Sequence, residues 1–155
     1  TLTGYPAVHA AWRHYVWSHQ SFDGEAVAAP IAPIAARRIS LIQSVLAAAD
    51  TGIHLSRWSV NEAADYIAIH SGLEPSLSEQ MALSITARPG YHSAVAAALQ
   101  RLESLSERSE AILGEHYSET DFQRTLIEPG PRPLAFIEQD VEAWYGARLA
   151  DQSED

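Results

Sequence analysis

Asp50 and His54 stand four residues apart, in the string Asp50-Thr-Gly-Ile-His54. On a helix that spacing puts both side chains on one face, so the carboxylate can hydrogen-bond the imidazole and fix which ring nitrogen carries the proton. A pair of this kind orients a metal ligand, a general base or a transition-state hydrogen-bond donor. The same string also suits a plain helix C-terminus, with Gly52 loosening the last turn and His54 at the negative end of the helix dipole. His92 is a further candidate. It follows Pro89-Gly90-Tyr91 at the start of a helix, where free backbone N–H groups favour an anionic ligand. Trp12 and Tyr15 in an aromatic-rich first segment, Trp58 just after His54, and Tyr91 are the candidate substrate-binding walls. His14, His70 and His116 read as surface or satisfied-core residues.

The elements that must hold these groups are helical almost throughout. Residues 6–19 form the first helix, with Pro6 suited to its first turn. Residues 20–30, containing Asp23-Gly24 and Pro30, read as a loop, and Pro33 opens the next helix. Ile42, Val45, Leu46 and Ala49 follow helical spacing up to the Asp50–His54 string. Ser59 with Glu62 is a capping-box signature, which Ser76 with Glu79 repeats for a helix over 77–87. After Pro89 comes the longest helix, with Val95, Ala98, Leu99, Leu102, Leu105 and Ile112 as its apolar stripe and Gly114 as its stop. That stripe is expected to cross the helix over 34–49. Ser118 with Asp121 begins a short helix that Pro129-Gly130 ends, and Leu134, Ile137, Val141 and Trp144 share a face of the last one. No period-two strand is found, so the expected fold is all-α, an irregular bundle of about seven helices.

Composition narrows the function. The 155 residues are 46% hydrophobic, enough for one helical domain over 1–150 followed by an acidic tail over 151–155. There are no cysteines, which removes thiolate nucleophiles, disulfides and Cys-based metal sites. The formal charge of −10, from 20 acidic against 10 basic residues, repels phosphate backbones, so nucleic acid is not an expected partner. No apolar run approaches ~18 residues and no signal-peptide pattern opens the chain, so a membrane is not expected either, and the expected location is cytoplasmic. No G-x-S-x-G elbow, P-loop or dinucleotide fingerprint occurs. Glu62 and Asp65 lie near the motif, but the first reads as a cap and the second as a solvated position.

Asp50-Thr-Gly-Ile-His54, followed by Trp58-Ser59 and Ala64-Asp65-Tyr66, resembles the C-terminal part of the bacterial family called domain of unknown function 885. Its members resemble helical zinc metallopeptidases. The family pattern there is D-T-G-x-H, a short gap, G-W-S, then a helix ending in an N-T-G-like turn, here Ser71-Gly72. The similarity continues through Pro89-Gly90, the long helix ending at Leu113-Gly114, Pro133-Leu134 and Trp144, covering roughly Ala36 to Trp144. The departures are specific. No H-E-x-x-H string is present, and Ala10 and Ala11 stand where an E-G-W-x-x-Y segment would carry its glutamate ligand and glycine. Val95 and Ala96 occupy the Tyr and Lys positions of a Q-A-x-x-Y-K segment.

The resemblance with these departures implies no zinc and no other cofactor. It leaves a metal-independent enzyme on a small acyl- or amide-type substrate, with His54 and Asp50 as the proton-transfer pair and Trp12, Tyr15, Trp58, Tyr91 and His92 around a small-molecule or peptide-like ligand. The alternatives are a non-catalytic ligand-binding protein and the zinc-less half of a split or truncated metallopeptidase. A homo-oligomer or a partner chain supplying the missing half stays open.

Overall fold

A glycine and a tryptophan close the helix that carries the Asp50–His54 pair. The Cα of Gly52 lies so near the Trp58 indole that a Cβ built there would come within 2.1 Å of the ring. The indole also meets Tyr66, with ring centroids 5.1 Å apart. The chain reverses between the two through Ser56 N–H and Trp58 N–H, which both donate to the Gly52 carbonyl at 3.1 and 2.9 Å. Arg57 supplies the left-handed residue this turn needs, with φ 59°. It occupies the position where the family resemblance has the glycine of G-W-S. A side chain in that conformation costs of order 1 kcal/mol that glycine avoids.

The structure is a computed structural model and describes residues 6–19, 32–130 and 132–152. These form seven α-helices: α1 Pro6–Ser18, α2 Ala32–His54, α3 Val60–Ser71, α4 Pro75–Thr86, α5 Tyr91–Leu113, α6 Glu119–Ile127 and α7 Leu134–Gln152, with a 3-10 turn at Gly114–His116. No strand occurs among the described residues, as an all-α fold requires. The loop expected over 20–30 lies outside them, as do residues 153–155 of the expected tail. Helix α7 itself runs on to Gln152.

Local chemistry explains most of the boundaries. Ser59 Oγ accepts from Glu62 N–H while Glu62 Oε2 accepts from Ser59 N–H at 2.7 Å, completing the capping box of α3. Gly72, at φ 66°, ends that helix in the left-handed region. Ser118 Oγ accepts from Asp121 N–H to start α6. Ser76 does not start α4, contrary to expectation. The helix begins at Pro75, whose fixed φ suits the first helical position, and Glu74 precedes it without a side-chain cap.

The chain divides into two compact units, Trp17–Ala97 and Thr1–Val16 with Ala98–Asp155. In the first, Val45, Leu46 and Ala49 of α2 pack with Ala63, Ala64 and Ile67 of α3 and Ala82 and Ile85 of α4. The three alanines from α3 and α4 let backbones approach, and burying each of the larger side chains contributes about 1.5–3 kcal/mol. Within this unit the stripe of α2 is covered by α3 and α4. The first turn of α5 approaches α2 through Ser93, whose Oγ donates to the Ala47 carbonyl.

The second unit holds most of α5 together with α1, α6 and α7. Its α5 seam runs Leu102, Leu105, Ser106, Ser109 and Leu113, all buried, whereas the expected Ile112 is 38% exposed. Leu113 follows Leu102 by eleven residues, close to three full turns, so it continues the same line. Tyr15, Tyr117, Phe122 and Trp144 form an aromatic cluster with centroids 5.7–6.3 Å apart.

Arg57→Gly should raise the unfolding free energy by about 0.5–1 kcal/mol, since strain relief exceeds the added freedom of the unfolded chain. Urea unfolding of the two proteins checks this, and a Gly variant less stable than the parent would remove the strain assignment.

Candidate functional site

Asp50 is 1% exposed, deep at the C-terminal end of α2. Its Oδ1 accepts from Gly90 N–H at 2.9 Å and its Oδ2 from Ser93 N–H at 3.0 Å. Gly90 has φ 76° and directly precedes α5. The carboxylate of one helix therefore caps the N-terminus of another, forty residues on, where orphan N–H groups and the positive end of the dipole favour an anion. Ser93 Oγ adds a bond to the Ala47 carbonyl at 3.3 Å and lies 3.2 Å from Thr51 Oγ1. The backbone N–H groups expected to favour an anionic ligand beside His92 thus donate to the chain's own Asp50.

Burial pushes the Asp50 carboxyl up. The backbone bonds from Ser93 and Gly90, the Ser93 side chain and the nearby His54 outweigh that and hold it below its ordinary value. Hydrogen bonds to the charged form therefore decide the sign.

His54 does approach Asp50, but as a neighbour at 3.6 Å and not as a hydrogen-bond partner. Its Nε2 lies 3.2 Å from the Ile85 carbonyl at the end of α4. A carbonyl only accepts, so Nε2 carries the proton and, in the neutral ring, Nδ1 holds the lone pair. The tautomer is set mainly by Ile85, with Asp50 adding a negative charge beside the same N–H.

The other expected residues divide between the units. Trp58, Tyr91 and His92 belong with Asp50 and His54 in Trp17–Ala97, and Trp12 and Tyr15 belong to the other unit. Trp58 lines an open groove with Thr51, Gly52, Ser56 and Ser93, among whose lining residues His54 is not found. Tyr91 lies under the Arg88 guanidinium, 4.6 Å from ring centre to Cζ, and edge-on to His92. Burial lowers the His92 pKa, Asp50 opposes that, and Arg88 reinforces it; the ring nitrogen Nδ1 is buried without a partner. Tyr15 is a core residue instead of a wall. It is fully buried, its ring meets Phe122, and its hydroxyl donates to Glu119. Trp12 lines a cavity of its own unit.

Sequence reading marks Gly90 as the start of a helix but not as a partner of Asp50, and it overlooks Ser93 and Ile85; all three hold Asp50 and His54 through backbone atoms that carry no residue-type signal. It also overlooked Arg132, a second lining residue of the Trp12 cavity. A zinc centre needs three protein ligands. Among the described residues no group of three or more His, Asp or Glu could hold a metal ion, and Ala10 offers no donor atom.

A family model described as "Bacterial protein of unknown function (DUF885)" matches residues 38–141. The chain belongs to the DUF885 family. A crystal structure of a "putative lipoprotein" from Colwellia psychrerythraea shares its fold, with a TM-score of 0.80 and 22% sequence identity over 92% of this chain. The match spans only 24% of that protein, so this chain covers about a quarter of its length. No curated protein matches. Among the described residues no helix is long and apolar enough to cross a membrane. The cytoplasmic expectation rests on sequence alone.

Asp50→Asn leaves an amide NH₂ facing a backbone N–H, which loses one charge-assisted bond and should cost about 2–3 kcal/mol. The native carboxyl has a lower pKa than the ordinary 3.8 of the unfolded chain. Its contribution is therefore complete above that value and is lost as pH falls through the folded one. Unfolding measured at stepwise pH between neutrality and about pH 2 should show a steeper acid loss for the parent than for Asp50→Asn. Parallel curves would contradict the capping role.

Proposed function

We propose that this DUF885 chain contributes the imidazole wall of a site acting on a small acyl- or amide-type substrate. His54 is the proton-transfer group and Asp50 the positioning residue beside it. The observation that supports this reading is the environment of Nε2. Ile85 O and the Asp50 carboxylate both face that N–H, which leaves Nδ1 as the basic atom of a ring held in one orientation. His54 is also the more accessible partner, with 24% of its side chain exposed against 1% for Asp50.

Asp50 cannot itself shuttle protons without releasing α5, because each oxygen already accepts a backbone N–H. Its negative charge would stabilise the imidazolium that forms when Nδ1 takes a proton. Trp58, Tyr91 and His92 are the proposed substrate contacts, with no cofactor. Since the matched region makes up 24% of the structural neighbour, a further reading is favoured by observation: the remaining walls of the site come from additional polypeptide, in the same chain or a partner. In that reading this segment is the zinc-less part of a larger peptidase-like protein.

His54→Gln tests the assignment. The Gln amide can still donate to Ile85 O, so the fold is kept while the basic lone pair is lost. On whichever p-nitrophenyl ester or aminoacyl anilide the parent turns over, the variant should lose ~10²–10⁴-fold in kcat with little change in KM. Full turnover by a folded His54→Gln protein would remove His54 from the chemistry. Saturable ligand binding without turnover by the parent would favour the binding-protein reading instead.

A further inference from the structure

In the unit formed by Thr1–Val16 and Ala98–Asp155, a cavity of about 90 Å³ is lined by Val8, Leu126, Ile127 and Ile137 together with His9, Trp12 and Arg132. The His9 and Trp12 rings are stacked, with centroids 5.8 Å apart and planes 17° from parallel. Two polar atoms on these lining residues, Trp12 Nε1 and Arg132 Nε, are buried with no hydrogen-bond partner. Both are donors only. An unpaired buried donor costs roughly 1–3 kcal/mol, and native proteins keep few of them.

We infer that this cavity binds a small ligand with an apolar body and a carboxylate head, received by the indole N–H of Trp12 and the Nε–H of Arg132. The walls are aliphatic and aromatic, so the body is apolar. Both orphans donate, so the head accepts, and a carboxylate has an oxygen for each. No acidic residue lines the cavity, although the chain carries a formal charge of −10.

The guanidinium is already fixed from its other edge. Nη2 pairs with Asp140 and donates to Thr125 O, and Nη1 donates to Gly130 O at 3.3 Å, so Nε–H is held in place without being used. The volume is below the roughly 150 Å³ of a cavity that accepts benzene, which limits the body to a short chain. Neither His54 nor Asp50 takes part, so this inference and the proposed function stand or fall separately.

Butanoate is the probe, with butylamine as the control of equal chain length and opposite head. Titration of the whole chain, followed by the Trp12 indole ¹H–¹⁵N resonance and the Ile127 and Ile137 methyl groups, should show saturable shifts with butanoate and none with butylamine. Trp12→Phe keeps the aromatic wall and removes the N–H. It should weaken butanoate roughly tenfold by the methyl readout. Val8→Phe fills the cavity while both donor groups stay in the chain and should abolish the shifts. No saturable shift with butanoate, equal response to butylamine, or unchanged affinity in a folded Trp12→Phe protein would each overturn the inference. The first result would leave the two donors to bound water.

Discussion

A single buried carboxylate ties the C-terminal end of α2 to the start of α5. Asp50 accepts one backbone N–H on each oxygen, from Gly90 and Ser93, at the point where the orphan donors of a new helix would otherwise lack partners. Burying a charge is costly unless it is hydrogen-bonded, and here the bonds are to the charged form. Three further contacts surround it. Ser93, drawn to Asp50 by its N–H, reaches the Ala47 carbonyl with its hydroxyl. Gly52 has no side chain because the Trp58 indole closes the turn over it. Ile85, at the end of α4, receives the His54 N–H one helical turn along from Asp50.

This frame changes what the Asp–His spacing means. Four residues on a helix do bring the two groups together, at 3.6 Å, but the hydrogen bonds of each go elsewhere. Asp50 serves backbone, and His54 serves backbone. The pair behaves as a fixed charge beside a fixed ring, which suits an imidazole acting through Nδ1 and does not suit a carboxylate that exchanges its proton. The Asp50-Thr-Gly-Ile-His54 string thus reads here as a folding device that also orients one imidazole.

Much of the helix pattern was legible because caps and stops are local. Ser59 with Glu62, Ser118 with Asp121 and the glycine after Leu113 each act within one turn. Helix α4 departed from this because Pro75 and Ser76 both signal a start, and the fixed φ of proline prevailed. Packing partners were less legible. Periodicity identifies the buried face of α2, yet nothing in Val45, Leu46 and Ala49 says whether α3, α4 or α5 will cover it. The seam of α5 passed through Ser106 and Ser109, whose hydropathy hides a buried line; Ser109 Oγ satisfies itself on the Leu105 carbonyl. At the site, Asp50 and His54 were visible as residue types, while Gly90 N, Ser93 N and Ile85 O are backbone atoms. Tyr15 was misread as a wall since an aromatic ring beside histidines gives no sign that its hydroxyl will find Glu119.

The capping contact can be observed directly through the two amides that make it. Proton chemical shifts of Gly90 N–H and Ser93 N–H, followed by NMR as the folded protein is acidified, report the charge on the carboxylate they face. If Asp50 caps α5, both resonances shift together with one apparent pKa below the ordinary aspartate value of 3.8. Amides that do not respond, or that titrate independently at or above that value, would contradict the cap and, with it, the frame that orients His54.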